Sequence, residues 1–291
     1  MVRVSFITFT RNSGKQLKLL LEHVRDAVDE IIVVDGYSVD DTVEVALSFG
    51  AKVYRRKPWG HVEPDRMFAL RKASYDWILY LDTDERLSRK LKSELGDLIH
   101  KAEFEGFSAL STLRVDYDRS CGDVILGSFY NRQIRIYRKD RALYKGLVHE
   151  LPIIHGKILD LSEEYSIIHY PDFNYRKMIF YAYLEALEYY EFNTRSLIRR
   201  ELWKLTPISA PLIYLYHIIL SIRQDKLYNK CTVMREFDLS MYETLVHTLV
   251  KFRGERRRAL AKILSEKGLI KLLESRSEQV NSHTYERSVP I

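Results

Sequence analysis

The chain has 291 residues, enough for one large α/β domain with an appendage or for two modest domains. Hydrophobic residues make up 46% and charged residues 30%, a globular balance that excludes long disorder before the C-terminal tail. A formal net charge of +6 suits anionic partners, such as phosphate-bearing substrates or acidic lipid, without choosing among them.

The first half alternates β-like runs with helical patterns, the signature of a mainly parallel sheet with crossover helices. Residues 2–9 are expected to form the first strand. Leu17, Leu20, Leu21, Val24 and Val28 then recur at helical spacing and return the chain to the apolar run at residues 30–35, a buried central strand. Asp40 or Asp41 is placed to cap a second helix that Gly50 ends, and residues 51–54 make a third strand. A helix over residues 65–74 leads into a fourth strand, residues 77–82, which breaks at an acidic cluster. Ser88 caps a further helix with Leu91, Leu95, Leu98 and Ile99 inward, and residues 107–150 read as antiparallel strands.

Beyond Tyr170 the pattern is helical and rich in Tyr, Leu and Ile, and from about Ser275 it becomes polar and aperiodic. The expected organisation is a main domain over residues 1–172, made of the parts 1–105 and 106–172. A helical extension over 173–274 and a flexible tail over 275–291 complete it. Two cysteines, Cys121 and Cys231, lie outside any zinc or redox spacing, and the first residues lack the apolar core of a signal peptide. Both observations point to a reduced, cytoplasmic setting.

In an open doubly wound sheet, ligands bind beyond the carboxyl ends of the strands where the strand order reverses. The first strand delivers Thr8, Thr10, Arg11 and Asn12 to such an end, the second delivers Asp35, and the fourth delivers Asp82 and Asp84. With the order 3-2-1-4, these ends are neighbours. Asp82 and Asp84 stand two apart, so in extended chain they point to one side and offer hard oxygen ligands to a divalent ion, Mg²⁺ or Mn²⁺. Such an ion binds a nucleotide diphosphate and neutralises the leaving group as a glycosidic bond breaks. The plain alternative is a solvated strand-to-helix turn, against which the preceding buried apolar strand argues.

The pieces Thr8-Phe9-Thr10-Arg11-Asn12, Val33-Val34-Asp35-Gly36-Tyr37-Ser38, Arg66-Met67-Phe68-Ala69-Leu70 and Leu81-Asp82-Thr83-Asp84-Glu85 resemble the family 2 glycosyltransferases in order and spacing. The resemblance runs on through Arg135-Ile136-Tyr137 and Gly146-Leu147-Val148-His149-Glu150 to His169-Tyr170-Pro171, with most likeness to the soluble branch that includes bacterial lipopolysaccharide-core glucosyltransferases. It implies a GT-A fold, an α/β nucleotide-diphospho-sugar transferase of Rossmann-like build with an antiparallel section. It also implies hexosyl transfer from a UDP- or GDP-linked sugar to a glycan or polyprenyl-linked acceptor, with residues 1–172 as the catalytic domain, nucleotide-sugar binding in 1–105 and the acceptor side in 106–172.

On the residues, the resemblance implies that Thr8, Thr10 and Asn12 line the nucleotide pocket, that Asp35 accepts from the base, and that Arg66 lies near the diphosphate. Asp82 faces the ribose and the metal shell, Asp84 is the principal metal ligand, and His169 ligates the metal or touches the diphosphate. Arg135 belongs to the sugar-nucleotide side and, with Tyr137, shapes the acceptor side. Inverting transfer needs a base for the acceptor hydroxyl; Glu150 is the candidate and His149 its neighbour, and in extended chain at most one of them faces the reacting carbon. Family members often carry an acidic pair here, where this chain has His-Glu. Packed structural roles for Arg66, Arg135, His149 and His169 stay open at this point.

Residues 207–222 are apolar and aromatic but fall short of the ~20 residues of a spanning helix. They read as an interfacial helix, which implies peripheral membrane association, or as a core or homodimer helix. The basic run at residues 251–258 lacks a nucleic-acid module, so no nucleic-acid partner is expected. Two alternatives to a transferase remain: a catalytically silent nucleotide-sugar-binding or membrane-associated scaffold, against which the intact Asp82 and Asp84 argue, and a sugar nucleotidyltransferase. The second would need a Gly-rich loop after the first strand, and Thr-Phe-Thr-Arg-Asn-Ser-Gly-Lys is not one.

Overall fold

The structure is a computed structural model that describes residues 2–57, 62–118, 123–125, 131–144, 151–171 and 179–183, with Met241 and Leu245. In chain order its elements are β1 (Val4–Thr10), α1 (Gly14–Val24), β2 (Glu30–Asp35), α2 (Thr42–Ser48), β3 (Lys52–Arg55), α3 (Glu63–Lys72), β4 (Trp77–Tyr80), β5 (Glu85–Leu87) and α4 (Arg89–Phe104). There follow β6 (Phe107–Asp118), β7 (Asp123–Ile125), β8 (Asn131–Arg138), a 3₁₀ turn (Lys139–Arg141), β9 (Ala142–Leu143), β10 (Ile153–Ile154), β11 (Lys157–Asp160) and β12 (Ser166–His169).

Among the described residues the main sheet runs β3-β2-β1-β4-β8-β6-β12-β5, with β7 and β11 also paired to β6. The first four strands are parallel and adopt the order 3-2-1-4, the one in which the polar strand tips are neighbours; β8 enters antiparallel to β4 and β6 antiparallel to β8. This is a mixed α/β fold with a mainly parallel sheet and an antiparallel section. All residues of β1, β2 and β4 are buried, because helices cover both faces of the sheet. On one face Phe6, Val33 and Leu79 pack with Leu17, Leu20, Leu21 and Val24 of α1 and with Leu91, Leu95 and Ile99 of α4. On the other, Ile7, Phe9, Ile32, Val34, Ile78 and Tyr80 pack with Ala69 and Leu70 of α3. Each fully buried aliphatic side chain contributes roughly 1.5–3 kcal/mol.

Local boundaries shift for identifiable reasons. The first helix stops at Val24, four residues before Val28, because Asp29 is pinned to the start of β1: its carboxylate accepts from Val4 N at 2.8 Å and its amide donates to Val4 O at 3.0 Å. Asp41 is the N-cap of α2, yet the neighbouring Asp40 supplies the carboxylate, accepting from Thr42 N at 3.2 Å and Gly14 N at 3.3 Å. Gly50 follows α2 at φ +72°, the left-handed turn that closes a helix end. Ser88 caps α4, its hydroxyl accepting from Leu91 N at 3.2 Å.

The chain separates into two compact units, Met1–Val115 with Tyr130–Tyr170, and Asp116–Phe129 with Pro171–Ile291. In the second, the end of β6 pairs with β7, and residues 179–183 are helical with Ile179 and Ala182 buried. Among the described residues no helix is long and apolar enough to cross a membrane. The expected interfacial segment at 207–222, the basic run at 251–258 and the tail lie outside the described residues.

Candidate active site

The parallel half brings two strand tips level, because Thr10 is the register partner of Asp35. Thr8 and Thr10 are buried, and neither hydroxyl has a hydrogen-bond partner among the described residues. Asn12, at φ +48°, acts as a strut between the two tips: its amide donates to Ser38 Oγ at 2.8 Å and its Oδ1 accepts from Val39 N at 2.9 Å. Asp35 is fully buried, accepting from Ser38 N at 3.0 Å and from Arg55 Nε at 3.3 Å. Gly14 lets these loops approach, since a Cβ there would fall 2.0 Å from Asp41 Oδ1.

The acidic cluster links the sheet centre to its edge. Residues 81–84 connect β4 to β5, two strands separated in the sheet by β8, β6 and β12. Four flat strand spacings amount to about 19 Å, whereas five fully extended residues reach about 17 Å. The link is moreover folded into a turn, with Glu85 N donating to Asp82 O at 2.9 Å. The sheet therefore curls, and the turn meets side chains of β8 and β6.

Side chains from those two strands meet it. Arg135 of β8 donates through Nη2 to Asp82 Oδ2 at 2.9 Å and to Glu85 Oε1 at 2.7 Å, and Arg114 of β6 lies 3.5 Å from Glu85 Oε1. The Tyr80 hydroxyl donates to Asp82 Oδ1, and Glu85 Oε2 accepts from Asp82 N at 3.1 Å. The Arg66 guanidinium lies over the rings of Tyr80 at 4.5 Å, Tyr144 at 5.1 Å and Phe9 at 5.9 Å.

Charge follows from this packing. Burial pushes the Asp82 carboxyl up, but Arg135, Arg66, the Tyr80 hydrogen bond and Arg114 together hold it down at about 2. Burial raises the Tyr80 phenol well above its ordinary value, so it stays protonated and donates. Burial works against the Arg135 cation, yet Glu85 and Asp82 keep its pKa well above the ordinary arginine value.

Asp84 takes a different direction from Asp82. Its carboxylate Oδ2 lies 3.5 Å from His169 Nε2, and both side chains remain partly open, Asp84 at 32% and His169 at 16% of full exposure. Tyr170 N donates to the Asp84 carbonyl at 2.8 Å. A carboxylate beside an imidazole suits Mn²⁺, and two protein donors suffice for an ion whose other positions are water and phosphate. Among the described residues no cluster of three or more His, Cys, Asp or Glu forms. Asp82 has both oxygens engaged, by Arg135 and Tyr80. His149 and Glu150 lie outside the described residues.

Thus the structure brings together Asp82 with Arg135, Asp84 with His169, and Thr10 with Asp35; Arg66 joins the first group through Tyr80. Sequence reasoning assigned no role to Tyr80, Glu85 or Arg114. Glu85 was visible as part of the acidic cluster, but its complete burial depends on the curl of the sheet, and Arg114 carries no local signal at all.

Strand order, curled antiparallel section and carboxylates at the strand tips define a GT-A-type α/β fold. The profile of Glycosyl transferase family 2 matches residues 5–160, more than half of the chain, and the chain belongs to that family. It is 28% identical over 178 residues to a Rickettsia felis protein named "Uncharacterized glycosyltransferase", a match covering 60% of this chain and 62% of that relative. The chain thus spans about three fifths of the length of the curated relatives it matches. Two solved structures share the fold. The mannosyltransferase PcManGT of Pyrobaculum calidifontis, in complex with GDP-Man and Mn²⁺, superposes with a TM-score of 0.52 at 12% identity, over 86% of this chain and 87% of that one. TarS 1–349 of S. aureus, in complex with UDP-GlcNAc, gives 0.50 at 16% identity over 100% and 95%.

Proposed function

We propose that the protein is an inverting, metal-assisted glycosyltransferase that moves a hexosyl group from a UDP- or GDP-linked donor to a glycan or polyprenyl-linked acceptor. The observation that carries this is the Asp84–His169 pair, open to solvent beside an Asp82 held anionic. The two solved structures of the same fold were obtained with GDP-Man and Mn²⁺ and with UDP-GlcNAc, which supports a nucleotide-sugar donor here.

In this proposal Asp84 and His169 would hold Mg²⁺ or Mn²⁺, which when bound offsets the charge of the departing diphosphate. Thr8 and Thr10 present buried hydroxyls in need of partners toward the nucleoside, and Asp35 shapes the same wall. Arg66, kept cationic among three rings, supplies positive charge on the diphosphate side. Glu150 takes the acceptor proton. A site at the cytoplasmic membrane face, and a 207–222 segment that contacts lipid or a second copy, complete the proposal.

Thermal unfolding of the full chain with a panel of nucleotide-sugars, with and without Mn²⁺, tests it, since a ligand of the folded state raises the melting temperature by mass action. Stabilisation by one UDP- or GDP-sugar is expected only with the metal and is lost in Asp84→Ala. Equal shifts in that variant and the parent would refute the assignment.

A further inference from the structure

Arg135 is drawn by sequence toward the sugar nucleotide, but its surroundings give it other work. One nitrogen, Nη2, donates to two carboxylates, Asp82 at 2.9 Å and Glu85 at 2.7 Å. These acids are the two ends of the turn that carries Asp84. The Arg135 side chain is only 7% exposed and its Cζ lies 4.5 Å from the centre of the Tyr80 ring, so little of it is left for a ligand.

Glu85 has no exposed surface, and the Asp82 side chain is 36% exposed. Two carboxylates held this close, one of them fully buried, repel each other unless a cation is shared between them. Arg135 is that cation, with Arg114 at 3.5 Å as a weaker second on Glu85. With the acids joined, the bonds Glu85 N to Asp82 O and Asp82 N to Glu85 Oε2 close the turn, and Asp84 is turned toward His169.

We propose that Arg135 is a positioning residue for cation binding: by joining Asp82 to Glu85 it fixes the 82–85 turn so that Asp84 and His169 meet. This rests on the metal-assisted function above. Arg135 touches neither ion nor substrate; it acts through the turn. Both bonds leave one nitrogen and no two-pronged fork is used, so a lysine ammonium, one bond shorter, restores the cation between the two acids, whereas methionine carries neither charge nor donor.

The test is Mn²⁺ binding to the purified full chain, followed by electron paramagnetic resonance with UDP and in a parallel series with GDP, the nucleotide alone serving as blank. Parent, Arg135→Met, Arg135→Lys, Glu85→Gln and Asp84→Ala are compared, each with a circular-dichroism melt to establish folding. Arg135→Met is expected to bind Mn²⁺ at least tenfold more weakly than the parent, Arg135→Lys to recover to within threefold, and Glu85→Gln to lose threefold or more. A folded Arg135→Met with parental affinity overturns the proposal, as does a lysine variant no better than methionine. If Arg135→Met does not fold, Glu85→Gln decides, and parental affinity there overturns it. A parent that binds no Mn²⁺ with either nucleotide sinks the metal-assisted function itself; a binding parent with indifferent variants sinks only the role of Arg135.

Discussion

His169 Nε2 lies 3.5 Å from Asp84 Oδ2, and the amide of the next residue, Tyr170, holds the Asp84 carbonyl at 2.8 Å. Residues 169–170 thus fix both the side chain and the backbone of Asp84, and they reach it because His169 is the register partner of Glu85. His169→Ala is expected to weaken Mn²⁺-dependent nucleotide binding by at least about tenfold while leaving the ligand-free melting temperature close to the parent's. Isothermal titration with UDP or GDP plus Mn²⁺ measures the first quantity and a calorimetric melt the second. Unchanged affinity would remove the imidazole from the site.

Asp35 answers to the loop after β2 before it answers to any ligand. In Asp35→Ala the Ser38 amide and Arg55 both lose their buried acceptor, a loss of about 1–3 kcal/mol. Asp35→Asn keeps an oxygen for Ser38 and is expected to lose less. Urea unfolding of the two variants orders them, and equal stability of Asp35→Ala and parent contradicts the account.

Acid sensitivity is expected from Glu30, at the amino-terminal edge of the sheet. Burial pushes its carboxyl up, but Lys52 at 2.5 Å, the Ser5 and Ser74 hydroxyls and the Ser74 amide lower it from 4.5 to about 2. A depressed carboxylate stabilises fully above the unfolded value, and that contribution disappears as pH falls from 4.5 toward 2. Glu30→Gln should be less stable than the parent at pH 7 and should show a smaller loss between pH 4.5 and 2 in denaturant titrations.

His23, in the last turn of α1, acts in a higher window. Burial, then Lys92 and Arg86, lower its pKa from 6.5 to about 4, so the native chain keeps it neutral while the unfolded chain takes a proton. The unfolded state binds more protons between these values, and stability falls as pH drops from 6.5 to 4. His23→Leu is expected to flatten that slope in melts taken at half-unit steps; an unchanged slope would assign the loss to other groups.

The parallel half of the fold was legible in the sequence because its signals are local. Apolar runs such as residues 30–35 specify buried strands, helical spacing in α1 specifies a crossover, and Ser88 and Gly50 mark ends that the structure keeps. Strand order itself was only supposed, and the structure has the supposed order 3-2-1-4. The antiparallel section was read only as a stretch, since β5 is three residues long and pairs with β12 from far along the chain. For the same reason the different partners of Asp82 and Asp84 were not legible. Their spacing carries no trace of Arg135 and Tyr80, which engage one carboxylate, or of His169, which lies beside the other.

The pairing of β5 with β12 is confined to three residue pairs at the rim of the sheet, whereas β1 lies between two parallel neighbours, paired over six residues with β2 and four with β4. Amides in such a rim ladder exchange with solvent through small openings that leave the middle of the protein intact. Occupation of the Asp84–His169 corner will therefore be felt first as slower deuterium uptake over residues 85–87 and 166–169, while β1 and β2, already closed, change little.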